Sequence, residues 1–143
     1  MSPDKDILED RLLHIRQKVG QIRSLASNVE LEEFKVNFEK HYAVIHLLQI
    51  CIEACSDIAS HICSYDNLGI PNSYTEAFEI LESHKVISHA VGTELKDAAR
   101  FRNRIVHLYQ LLDLEVILEI AKTKPDIFLK FAAEILDYTA RTN

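Results

Sequence analysis

Apolar residues recur at steps of three and four along nearly the whole chain, and this spacing restricts the possible folds more than any other feature. Leu8, Leu12, Ile15, Val19 and Ile22 fall on one face of a helix that turns about 100° per residue. They predict a first amphipathic helix from about Asp4 to Leu25, weakened slightly by Gly20. Breakers are scarce, with 3 Gly and 3 Pro among 143 residues. The chain is therefore expected to be nearly all-α and to form one domain over residues 1–143, long enough to bury a substantial core.

The punctuation divides the rest. Ser27-Asn28 offers a break, with Asn28 as cap for a second helix from near Glu30 to about Tyr65, long enough to be curved or kinked. Asp66-Asn67-Leu68-Gly69-Ile70-Pro71 ends it. Ser73 or Thr75 opens a short third helix through about Ser83, and Ser88 opens a fourth, whose buried side carries Val91, Leu95, Ala98 and Phe101. Gly92 in that helix permits close packing or a local break. Asp113 precedes a fifth helix with Val116, Ile117 and Ile120, and Pro125 begins a last one. The economical arrangement is an antiparallel bundle whose longest members are the second and fourth helices.

One stretch breaks the apolar pattern with chemistry: Arg102-Asn103-Arg104-Ile105-Val106-His107-Leu108-Tyr109. On a helix Arg102 and Tyr109 point nearly the same way two turns apart, and Asn103 and His107 stack one turn apart on the adjoining flank. Phe101, Ile105, Leu108 and Leu112 fall on the opposite side. Burying that stripe leaves the polar groups toward solvent, a groove or a second subunit.

Arg102, four residues, His107, one residue and Tyr109 form an R-x4-H-x-Y pattern, and the stretch resembles the HEPN-domain ribonucleases, the HepT toxins in particular. Two other segments agree. Leu48-Gln49-x-x-Ile52-Glu53-Ala54-x-x-Asp57-Ile58-Ala59-x-His61-Ile62 is similar to the family's second helix, and Pro71-x-x-Tyr74-x-Glu76-Ala77-Phe78 fits its connection. The resemblance runs from about residue 42 to the end. Near the start of the second-helix motif, where the family has an arginine, this chain has His41-Tyr42.

The resemblance implies an all-α, HEPN-type antiparallel helical bundle with two long central helices and shorter flanking ones. It implies a metal-independent endoribonuclease, the toxin of a type VII HepT/MNT toxin–antitoxin system, without cofactor, acting on tRNA or mRNA. RNA carries its own nucleophile, the 2′-hydroxyl, so the enzyme need only move protons and stabilise the phosphorane. His107 suits proton transfer near neutral pH, and the guanidinium of Arg102 suits phosphate oxygens. Asn103 is a supporting residue able to orient His107. The resemblance also implies a homodimer in which two motifs share one crevice, and a minimal nucleotidyltransferase antitoxin that transfers AMP to Tyr109. Arg104 points away and is assigned a salt bridge or an interface. The alternative is a non-catalytic helical module that binds a nucleotidyltransferase or a nucleotide through the same face.

The remaining features narrow these readings. A net charge of −6 argues against a broad nucleic-acid surface. Residues 94–109 nevertheless hold Lys96, Arg100, Arg102 and Arg104 against Glu94 and Asp97, which allows a focused positive site. Cys51, Cys55 and Cys63, with His46 and His61 nearby, lack the spacing of a metal site and read as packing residues. Glu53 and Asp57, one turn apart, are candidates to orient the arginine or histidine, or to serve packing. Phosphate-loop, dinucleotide, zinc-protease and serine-hydrolase motifs are absent. No leader and no membrane-length apolar stretch is apparent, so the cytoplasm is the expected location.

Overall fold

The computed structural model describes residues 5–107 and 113–142, leaving aside the side chains of Val106 and His107. The described residues form α1 (Lys5–Ala26), α2 (Leu31–Val36), α3 (Phe38–Tyr65), α4 (Tyr74–Ser83), α5 (His89–His107), α6 (Leu114–Thr123) and α7 (Asp126–Thr142). It is an all-α bundle with α3 and α5 as long central helices, and no strand occurs among the described residues.

Helix α3 touches each of the other six. The reason is its composition: Val44, Leu48, Cys51, Ile52, Cys55, Ile58, Ala59 and Ile62 are all buried, covering more of the helix than one apolar stripe would. Contrary to the expectation from sequence, α3 is long and apolar enough by length and composition to cross a membrane. Half of the apolar window is buried inside the bundle, as befits a helix with neighbours on most sides. Its three thiols are buried and free. Burial pushes the Cys51 thiol up to about 12 and raises Cys55 and Cys63 as well, which keeps them protonated and poor nucleophiles.

The long second helix expected from the sequence is two helices. Asn37, at φ −90° and ψ 84°, leaves helical geometry, and its side chain accepts a hydrogen bond from the Lys40 amide at 3.0 Å. A short amide that competes for backbone donors breaks a helix this way even where the apolar rhythm continues. Asn28 does not cap α2. That place belongs to Glu30, without a side-chain bond, while Asn28 takes a left-handed φ of 61° just after α1, a conformation asparagine tolerates.

Other boundaries follow their signals. Ser73 Oγ accepts from the Glu76 amide at 3.0 Å to start α4. Ser88 Oγ accepts from the Val91 amide at 3.2 Å, and the Asp113 carboxylate accepts from the Glu115 amide at 2.9 Å. Pro125 lies just before α7, and its carbonyl accepts from the Phe128 amide.

α4 and α5 run antiparallel. At one end Gly92 of α5 lies against the Glu82 side chain, which a β-carbon there would displace. Glu82 meets His89 Nδ1 at 2.9 Å and Lys96 Nζ at 3.5 Å. These contacts, led by the His89 hydrogen bond, lower the Glu82 pKa from its ordinary 4.5. A depressed carboxylate pKa stabilises the fold above the ordinary value and loses that contribution as pH falls through the folded one. Urea midpoints measured from pH 7 to pH 3 should therefore fall more steeply for the natural chain than for Glu82→Gln. Parallel curves would show that the contact contributes nothing.

Candidate active site

α5 carries Arg102, Asn103, Arg104 and His107 on one continuous helix. Its sequence explains the orientation: Val91, Leu95, Ala99 and Ile105 are buried and Phe101 is half-buried, so that stripe faces the core. Arg102 and the exposed Asn103 and Arg104 then lie toward the outer flanks. The helix is described through His107, which stands one turn beyond Asn103. Tyr109, Leu108 and Leu112 lie outside the described residues.

Arg102 is held by two other helices. Its Nε donates to Glu53 Oε1 of α3 at 3.4 Å, and its Cζ sits 4.8 Å from the ring centroid of Tyr74, the first residue of α4. The same Glu53 oxygen accepts from Gln49 Nε2 at 2.7 Å. The ion pair is partly shielded, with the Arg102 side chain 22% and Glu53 32% exposed. A shielded guanidinium over an aromatic face gains on the order of 0.5–2 kcal/mol, and the carboxylate fixes its direction. Of the two acids offered by the sequence, Glu53 therefore meets the arginine. Asp57 is exposed and lines a surface groove of about 450 Å³ with Asp10, Arg11, His14 and Glu53.

The electrostatics differ from the charge count along the chain. Lys96 pairs with Glu82, Arg100 with Asp97 at 2.8 Å and Arg102 with Glu53. Among the described residues Arg104 has no such partner, so the salt bridge considered for it is not made there. The surplus of cations on α5 is thus largely neutralised within one protomer. His41 is buried with its Nδ1 2.9 Å from the Phe34 carbonyl, while Tyr42 is half exposed.

Sequence reasoning missed Tyr74 as a member of this site. It appeared only as part of the connection, and a pattern along one helix cannot reveal which side chain will face it from another.

A family model described as Ribonuclease HepT-like matches residues 15–135. Over 126 residues the chain is 32% identical to the mRNA nuclease HepT of Shewanella oneidensis, covering 88% of this chain and 93% of that protein. Over 107 residues it is 28% identical to the tRNA nuclease HepT of Aphanizomenon flos-aquae, covering 75% and 72%. Among solved structures, the tri-AMPylated HEPN toxin of Shewanella oneidensis, in complex with its MNT antitoxin, matches with a TM-score of 0.86. That match has 31% identity and covers 93% of this chain and 98% of that one.

Proposed function

Because the chain belongs to the HepT-like ribonuclease family, we propose that it is a metal-independent endoribonuclease, the toxin of a HepT/MNT toxin–antitoxin pair. The observation that carries this reading is the setting of Arg102. Its Nε is taken by Glu53 and its face by Tyr74, while neither Nη group donates to a described residue. That edge suits two oxygens of a phosphate.

In the proposed reaction His107 accepts the proton of an RNA 2′-hydroxyl, whose oxygen attacks the adjacent phosphorus. Arg102 stabilises the charge that gathers on the phosphorane. The phosphorus–5′-oxygen bond breaks, and the leaving oxygen takes a proton from His107 of the partner subunit. The products are a 2′,3′-cyclic phosphate and a 5′-hydroxyl. Two protomers are needed because one supplies a single imidazole and, with its cations mostly paired, little free positive charge.

Tyr109 is the proposed AMP acceptor, with a nucleotidyltransferase antitoxin as donor. The similar toxin from Shewanella oneidensis is tri-AMPylated and bound to MNT antitoxin, which supports that partnership here. A phosphodiester seven residues along the chain from Arg102 would compete with RNA for its guanidinium. We place the protein in the cytoplasm as a single domain, with tRNA or mRNA as substrate and no cofactor.

The test is cleavage of a mixed-sequence RNA in excess EDTA, with the fragment ends identified. Cyclic phosphate ends, and no cleavage of the 2′-deoxy counterpart, are expected. Fragments ending in 3′-hydroxyl, or a requirement for divalent cations, would exclude the scheme.

A further inference from the structure

We infer that Tyr74 is a positioning residue that sets the roll of the Arg102 guanidinium, an inference that rests on the ribonuclease reading above. A guanidinium is planar, and it can recognise a phosphate through two parallel N–H bonds only when its plane and its edge are both fixed. The contact to Glu53 is a single one, through Nε at 3.4 Å, and the receiving oxygen is shared with Gln49. One in-plane bond fixes the direction of the group and leaves rotation about that bond open. The ring of Tyr74, 4.8 Å from Cζ, supplies the missing constraint from the face. Carboxylate and ring together leave the Nη edge pointing one way.

Tyr74 is itself placed by the start of α4. Ser73 caps that helix, and the buried Ala77, Phe78 and Leu81 seat it on the core. The ring face carries the role, so phenylalanine is an adequate substitute and leucine, apolar but without a π face, is not.

The full-length protein is compared with Tyr74→Phe and Tyr74→Leu in single-turnover cleavage and in arginine Nε–Hε NMR spectra, with the Arg102 signal assigned by its loss in Arg102→Lys. Tyr74→Leu is expected to lower the maximal rate about tenfold. Half-saturation should change less than about twofold, because the defect lies in aligning Arg102 with the transition state. Tyr74→Phe should stay within about twofold of the natural chain. The Arg102 Hε signal should be displaced by the ring current in the natural chain and Tyr74→Phe, and return toward the free-arginine position in Tyr74→Leu.

Wild-type rates in Tyr74→Leu, equal losses in both variants, or an undisplaced Arg102 signal in the natural chain would each overturn the inference. The NMR readout needs no cleavage. If the natural chain leaves RNA intact but the Arg102 signal responds as expected, the hold of Tyr74 on the guanidinium stands and the nuclease reading alone falls.

Discussion

Alanine in place of His107 is expected to slow RNA cleavage by about 10²–10⁴-fold, the usual worth of a positioned acid–base group. The side chain is asked to take a proton from the 2′-hydroxyl and, from the other protomer, to return one to the 5′-oxygen. Its neighbours on the last turns of α5, Arg102, Asn103 and Arg104, offer no second imidazole. RNA binding should change less than cleavage, because the lasting charge for phosphate is the Arg102 guanidinium. Mixing His107→Ala protomers into the natural protein should depress activity more than dilution alone, since a mixed crevice holds one imidazole where the scheme uses two. Cleavage by His107→Ala at the natural rate would eliminate its role. Activity that falls only in proportion to the natural protomers in the mixture would argue against a composite site.

The second large effect is on stability. Phe78 of α4 and Phe131 of α7 are both fully buried and meet edge to face, with centroids 6.1 Å apart and planes at 83°. Phe78→Ala removes that pair and leaves a cavity, at a cost of about 3–5 kcal/mol. A domain of this size has only about 5–15 kcal/mol in total, so the urea midpoint should drop by about a fifth or more. Because Tyr74 lies one turn before Phe78, loss of activity should accompany the loss of stability. A midpoint within error of the natural chain would mean that the neighbours collapse into the gap.

The parts of this fold legible in the sequence are those set by local chemistry. Ser73 with Glu76 three residues later, Ser88 and Asp113 each mark a helix start, and each side chain makes the capping bond its type suggests. The apolar rhythm of α1 and α5 likewise names their buried faces. The rhythm also misled: it runs unbroken through Asn37, where a side-chain bond to the backbone outweighs one turn of helix. The site divides in the same way. The alignment of Arg102, Asn103 and His107 follows from helical spacing, whereas the partnership of Arg102 with Glu53, 49 residues away, and with Tyr74 depends on how three helices meet. Charge counted along α5 overstated the free cations because their carboxylates come partly from α3 and α4.

Gly92 has a reach beyond its own surroundings. It sits ten residues before Arg102 on α5, about 15 Å along the axis, and its partner Glu82 lies on the helix that also carries Tyr74. A β-carbon at 92 meets the carboxylate end of Glu82, which can swing aside but then leaves His89 and Lys96. The glycine thereby keeps the Lys96 charge occupied six residues before Arg102, so a change there would alter the charge of α5 without touching the motif itself.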